Sequence, residues 1–231
     1  MNRFLLGSFR KHRNFASIMI TKLLFTTLCG LAGSCSTLSA QGIDSLFARA
    51  PETACPMLSH SSKLDLLDLY NSRMKAVTTN QYGGQTTLTE KSDDFLTLQQ
   101  TASSDWSMKL FKAPTQSYIL VCQTFRTPYA ESQLTWYDDK WNRITPPAGF
   151  SLPQPSDFAT GTSDSLQNAV KVWPAHYISA TLATGSDSIR FELAPTSASS
   201  DLNRQARQML HPIILKWDKQ KYQFVNCPAQ K

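Results

Sequence analysis

The chain has 231 residues, with 23 basic and 17 acidic side chains and a formal net charge of +6. Five of the basic residues and none of the acidic ones lie in residues 1–40, so the rest of the chain has 18 basic and 17 acidic residues and a net charge of only +1. Nucleic-acid binding relies on clustered positive charge that neutralises phosphates. We therefore expect no nucleic-acid partner.

Residues 1–40 show the three-part pattern of a secretory signal peptide, with a basic leader, an apolar run and small residues at the end. The apolar run at 23–32 is shorter than the roughly 20 residues that a transmembrane helix needs. Small Ser39 and Ala40 predict cleavage after Ala40. Either Met1 or Met19 as the start would place basic residues before the apolar run. We expect an exported protein of the periplasm or the extracellular space.

Lipidation is an alternative interpretation of the same segment. Residues 31–35, Leu-Ala-Gly-Ser-Cys, resemble a bacterial lipobox with one extra Ser before Cys35. An acyl chain on Cys35 would make the protein an outer-membrane lipoprotein, because acyl chains supply membrane affinity. Membrane contact is expected only in this case.

The segment 41–145, the predicted N-terminal half, begins with helical periodicity and then changes to the two-residue period of strands. The spacing of apolar residues predicts a short amphipathic helix over 43–48 and a helix of about three turns beginning near Ser62. Ser62 and Asp65 have capping-box spacing. Short polar turns separate the strands that follow, which predicts an antiparallel meander. These strands are predicted at 74–77, 86–89, 95–98, 106–110, 118–125, 133–137 and 141–144.

A proline-rich connection at 146–162 leads to a predicted C-terminal half over 163–231. Its predicted helices cover 163–172 and 201–210, and its predicted strands cover 177–183, 189–193, 212–217 and 222–225. Both halves contain a hairpin that turns at Ser-Ser-Asp or Gly-Ser-Asp and a strand that ends in aromatic-Asp. Duplication and convergence of hairpin sequences explain this likeness equally well. The predicted fold class is α+β, an antiparallel β meander with a few short helices, in two similar helix-plus-sheet halves in tandem if the unit is duplicated.

Several short segments are similar to a known family. They are Ser-Lys-Leu-Asp-Leu-Leu-Asp at 62–68, Met-Lys-Ala at 74–76, Tyr-Gly-Gly at 82–84 and the segment 88–94. In these segments the chain resembles a family of secreted proteins of unknown function from Bacteroidales, and the likeness continues loosely through the hairpin at 136–141. The resemblance implies export and an α+β fold. It implies no catalytic residues.

Histidines and cysteines give few candidates for chemistry. No Ser or Cys nucleophile stands in a recognisable pattern with His60, His176 or His211. A secreted hydrolase that uses His176 or His211 with an Asp is therefore only the alternative function. The sequence has no zinc-ligand spacing, calcium loop or phosphate-binding loop, so we expect no metal and no cofactor.

Three cysteines follow the predicted signal peptide. Cys122 lies in an apolar strand and is predicted to be buried. Cys55 and Cys227 lie near the two ends, each before a proline, and export permits disulfides. If any pair forms a disulfide, we expect it to be Cys55 with Cys227.

Aromatic side chains are the candidate binding residues. Trp136, Tyr137 and Trp141 flank one polar turn, and Trp217 and Tyr222 flank another. Two further tryptophans of the same set are Trp106 and Trp173. On one exposed face they would form a platform for a peptide or glycan. Packed in the core or across hairpins, they would only stabilise the fold.

Three Asp-Ser-aliphatic triplets resemble the O-glycosylation acceptor of exported proteins in the phylum of this family. They predict modification at Ser45, Ser165 and Ser188. With export and no visible catalytic group, the sequence favours a non-enzymatic module that binds an envelope or extracellular protein, peptide or glycan.

Overall fold

The computed structural model describes residues 42–227, and the predicted signal peptide, with Met19, Cys35 and the cleavage point after Ala40, lies outside the described residues. The described helices are α1 (Ile43–Arg49), α2 (His60–Asn71), a 3-10 helix (Pro155–Ala159), α3 (Asp164–Lys171) and α4 (Ser200–Met209). The described strands are β1 (Val77–Thr79), β2 (Gln85–Lys91), β3 (Phe95–Thr101), β4 (Ser104–Lys112), β5 (Ser117–Phe125), β6 (Glu131–Tyr137), β7 (Tyr177–Thr181), β8 (Ser188–Ala194), β9 (Ile213–Asp218) and β10 (Gln223–Cys227). The predicted α+β class is confirmed.

Helix α2 begins earlier than its sequence pattern predicts. Ser59 is the N-cap, and its hydroxyl accepts a hydrogen bond from the Ser62 backbone N–H at 3.1 Å. The cap therefore lies three residues before the predicted one at Ser62. Both serines have the residue type that a cap needs. The earlier one caps the helix because His60, Ser61 and Ser62 continue the helix toward the N-terminus.

The first six strands form one antiparallel sheet in chain order, from β1 to β6. Its strongest pairing joins β4 and β5 over their full length, from Ser104 opposite Phe125 to Lys112 opposite Ser117. This pairing confirms the predicted meander. The turn between β3 and β4 is shorter than the predicted turn at 103–105, because Ser104 already pairs with Thr101.

Both faces of the six-stranded sheet are covered. Successive side chains of a strand point to opposite faces, so Trp106 and Met108 of β4 join the core under α1 and α2, whereas Phe111 and Leu120 join the core under the second sheet. A strand buried on both faces must also hide its polar residues. Lys109 is almost fully buried, and its Nζ lies 3.1 Å from the Asp94 carboxylate.

The last four strands form a second antiparallel sheet in the order β10-β9-β8-β7, with α4 between β8 and β9 along the chain. An aromatic cluster joins the two sheets. The Phe111 ring lies 5.8, 5.5 and 5.1 Å from the ring centres of Trp136, Trp217 and Phe224. The six-stranded meander and the helix-interrupted four-stranded sheet have different connections, so the layout of one sheet does not repeat the other.

The predicted strand at 141–144 is reduced to one bridge between Tyr137 and Arg143. Trp141 adopts a positive φ of 66°, which a strand does not allow. Its indole Nε1 donates to the Leu46 carbonyl at 3.1 Å, in the core beside α1. Burial of this side chain therefore replaces continuation of the hairpin.

We expect Gly149→Ala to destabilise the protein far more than Gly161→Ala. Both glycines have positive φ, +75° and +76°, which costs an alanine about 1–2 kcal/mol. Only at Gly149 would the added Cβ also overlap the Phe224 carbonyl, where the 147–150 loop docks on β10 through a 2.8 Å bond from Phe224 N–H to the Ala148 carbonyl. Urea unfolding of both variants measures the difference, and equal losses of stability would contradict this docking.

Candidate functional site

The predicted aromatic platform is wrong, because the structure buries most of its members. Trp136 and Trp217 lie in the core between the two sheets, and Tyr137 and Trp141 lie in the core under the helices. Of the five, only Tyr222 is exposed, at 39% of its surface. Neighbouring Trp136 and Tyr137 point to opposite faces of β6, and both are hidden because both faces are covered. Trp106 and Trp173 are buried as well.

The histidines hold backbone rather than a nucleophile. The ring of His60 bonds the Ala48 carbonyl at 2.9 Å, and the ring of His176 bonds the Val170 carbonyl at 2.7 Å. A carbonyl only accepts, so each ring nitrogen donates there. His211 uses its backbone N–H, which donates to the Phe158 carbonyl at 2.9 Å. No ion pair between described residues includes a histidine, so this geometry lends no support to the alternative hydrolase.

Cys55 and Cys227 are free thiols in the structure, so the predicted disulfide is wrong for this fold. Cys55 is buried in the core under the helices, while Cys227 ends β10 in the second sheet. The six-stranded sheet lies between these two locations. Burial raises the pKa of the Cys55 thiol to about 12. Cys122 is buried as predicted, and burial raises its pKa too.

A cleft of about 300 Å³ opens on the helix-side face of the six-stranded sheet. Its floor is formed by strands β3 to β6, and its roof by the loop at 53–57 that joins α1 to α2; we call it the β3–β6 cleft. The indole Nε1 of Trp106 donates to the Ala54 carbonyl at 2.7 Å and fixes the roof to the floor. Gln81 N–H donates to the Met57 carbonyl at 3.0 Å and holds the other end of the loop.

Three glutamines from three strands face this cleft: Gln100 of β3, Gln123 of β5 and Gln133 of β6. Gln123 and Gln133 lie directly opposite each other in the β5–β6 pairing. Gln123 Nε2 donates to the Asp105 carbonyl at 3.1 Å and to Gln100 Oε1 at 2.8 Å. Because the Asp105 carbonyl only accepts, it fixes the orientation of the Gln123 amide and, through it, that of Gln100.

This arrangement leaves the amide nitrogen of Gln100 without a partner. The residue is 1% exposed, and its Nε2 is buried and makes no hydrogen bond within the described part of the chain. An unsatisfied buried donor of this kind costs about 1–3 kcal/mol. The donor therefore lies in the lining of the cleft with two N–H groups free to bind a ligand atom.

The mouth of the cleft carries an exposed aromatic ring and a cation. Phe125, at the end of β5, is 51% exposed. Arg143 is the one charged residue among the described residues that line the cleft, and it forms no ion pair with any of them. Sequence reasoning missed Gln100, Phe125 and Arg143. Gln100 and Gln123, at polar positions in otherwise apolar strands, were the available signal.

A second cleft of about 300 Å³ lies beside β6 and the prolines at 153 and 155. Leu134, Leu152 and Ile178 supply much of its lining, together with His176 and Glu131. The His176 Nε2 is already bonded to Val170. No buried side chain that lines this cleft lacks a partner in the described range, so the β3–β6 cleft is the stronger candidate.

Comparison with known proteins places the chain in a family. The family model described as "Protein of unknown function (DUF3256)" matches residues 35–222. The chain belongs to the DUF3256 family. A solved domain of an uncharacterized protein from Porphyromonas gingivalis W83 has a TM-score of 0.66 and 18% sequence identity to it, over 81% of this chain and 98% of that one. This likeness supports the fold alone. No curated protein matches.

The DUF3256 match includes every described residue that lines the β3–β6 cleft but ends before Cys227. In residues 42–227, no helix has the length and apolar character needed to cross a membrane. The same range contains no cluster of three or more His, Cys, Asp or Glu side chains that would suit a metal ion.

The three predicted glycosylation serines lie in different surroundings. Ser45 is exposed on α1 and Ser165 is exposed in the first turn of α3. Ser188 is partly buried where β8 begins, and its N–H donates to the Ser186 hydroxyl at 3.2 Å. Modification at these residues stays a prediction.

Thiol labelling checks this placement of the cysteines. We expect iodoacetamide to modify Cys227 of the native full chain at pH 8 and to leave Cys55 and Cys122 unmodified, because burial excludes the reagent and keeps both thiols protonated. Peptide mapping by mass spectrometry measures each site, and labelling in urea is the control in which all three react. A native Cys227 that reacts only after reduction would instead restore the disulfide.

Proposed function

We propose that this protein is an exported, non-enzymatic binding module that holds part of a protein, peptide or glycan in the β3–β6 cleft. The observation that carries the proposal is the Gln100 amide nitrogen, buried in the cleft lining without a partner. Buried polar groups in proteins are nearly always satisfied, so an exception needs an explanation. A ligand oxygen that accepts from this nitrogen supplies one.

The form of the cleft supports recognition of a polar segment. Its wall combines amides with the apolar surfaces of Trp106, Met57 and Phe125. Such a mixture suits peptide groups and sugar rings, which offer hydrogen-bonding atoms beside apolar surface. The roof loop is fixed at both ends, so a ligand meets a largely preformed site, and less ordering entropy opposes binding.

A binding role agrees with the chemistry of the lining. The described lining residues include hydroxyls and amides but no histidine and no carboxylate. General acid–base catalysis uses such groups within hydrogen-bond reach of the reacting atoms. This composition favours retention of a ligand over its conversion. Export rests on the residue pattern at 1–40.

Binding to arrays of glycans and of peptides tests the proposal. We expect ligands that bind the full chain to lose at least about tenfold in affinity in Phe125→Ala and Gln133→Ala, since both side chains are exposed in the lining and each change removes direct contacts. Val172→Ala and Gln116→Ala are matched controls, because both side chains are exposed outside the described lining. Unchanged binding by the cleft variants, or no ligand on either array, would count against the cleft.

The intact mass of the protein isolated from its native host tests export and modification together. We expect a chain that begins at Gln41, with a mass excess that falls stepwise in Ser45→Ala, Ser165→Ala and Ser188→Ala. A chain that begins at an acylated Cys35 would establish the lipoprotein instead. An unprocessed chain of polypeptide mass would contradict both export and glycosylation.

A further inference from the structure

The free hydrogen-bonding capacity of the β3–β6 cleft includes more than one group that can only donate. Gln100 Nε2 has both N–H groups free, and the Arg143 guanidinium has no carboxylate partner among the described residues. The Gln123 nitrogen, by contrast, is satisfied by Gln100 and Asp105. Groups of this kind demand acceptors from a ligand, because amide nitrogen and guanidinium have no lone pair to offer.

The carboxylates nearest to these groups along the chain are already engaged. The Asp138 carboxylate accepts from the backbone N–H groups of Lys140 and Asn142 and from the Asn142 side chain, at 2.8–2.9 Å. These bonds lower the pKa of Asp138 and keep it ionised. The Asp105 carboxylate is paired with Arg126. Neither acid lines the cleft, so the charge of Arg143 is not balanced inside it.

We propose that the β3–β6 cleft recognises a small ligand that bears a carboxylate. The carboxylate binds the Arg143 guanidinium, whose planar fork suits two parallel hydrogen bonds. A second acceptor oxygen of the ligand binds the Gln100 amide nitrogen, and the apolar part of the ligand packs on Phe125. This inference rests on the proposed binding function and adds the chemical class of the ligand.

Two sources offer this chemistry, an acidic sugar and the carboxyl terminus of a peptide. Both carry a carboxylate close to further acceptor oxygens, and a volume of about 300 Å³ holds a fragment of either kind. A fragment of about twelve heavy atoms is expected to bind with a Kd of about 1 mM. Its occupation of the cleft is therefore best followed by NMR.

The test uses two matched pairs of probes on the full chain: D-glucuronate with methyl glucoside, and tri-alanine with its C-terminal amide. We expect the charged member of at least one pair to shift the side-chain amide resonances of Gln100 and Gln123, and to bind at least about tenfold more tightly than its neutral partner. Binding should weaken with added salt, because Arg143 is exposed. Preference within the sugar pair alone or the peptide pair alone identifies the source.

Arg143→Gln should remove the preference for the charged probe, and Arg143→Lys should retain part of it. Arg207→Gln is the matched control, since it removes the same charge from an exposed position on α4 outside the described lining. Unchanged resonances of the Arg143→Gln protein away from the cleft would show that it is folded.

The outcomes separate this inference from the proposed function. Equal binding of both members of each pair, or an undiminished preference in Arg143→Gln, overturns the carboxylate inference and leaves a cleft that binds neutral ligands. If none of the four probes shifts the glutamine resonances but array ligands need Phe125 and Gln133, the carboxylate inference alone fails. If array ligands also bind independently of the cleft, both fail.

Discussion

The burial of the six-stranded sheet on both faces is the constraint on which the rest of this structure depends. Helices α1 and α2 cover one face and the four-stranded sheet covers the other, so the long central strands must supply apolar side chains in both directions. Phe111 shows the result, because its ring contacts tryptophans from both sheets. The site can then form only where one cover ends, and the loop between α1 and α2 leaves such a gap above β3 to β6.

The same loop that leaves the gap also gives it a fixed shape. Trp106 fills the core and bonds the loop through its indole nitrogen, so core packing and the position of the roof are linked. The buried Cys55 adds an apolar anchor to the loop, with a pKa near 12 that keeps the thiol neutral at physiological pH. A site held in this way needs little rearrangement to bind, although the unpaired Gln100 donor destabilises the unliganded protein.

Treatment of charge distinguishes the cleft from the core. The core satisfies the buried cations it contains: Lys109 lies against Asp94, and Lys63 donates to the Ala50 carbonyl while burial lowers its pKa. Arg143 has no such partner among the described residues. The fold thus pairs the cations that it buries and leaves a cation unpaired at the mouth of its candidate site, which is the basis for expecting an acidic ligand.

The sequence by itself determined the local structure of this protein: the helix after the paired serines, the strands in their order, and the turns that join them as a meander. These follow from residue periodicity and turn chemistry, which act over a few neighbouring residues. Only the tertiary structure decided which residues are exposed. The pattern around Trp136 and Tyr137 was correct as a strand, yet it could not show that a second layer covers each face. Gln100 and Arg143 lie 43 residues apart in the chain and line one cleft, because sheet pairing and the α1–α2 loop bring them together over long separations that no local pattern records.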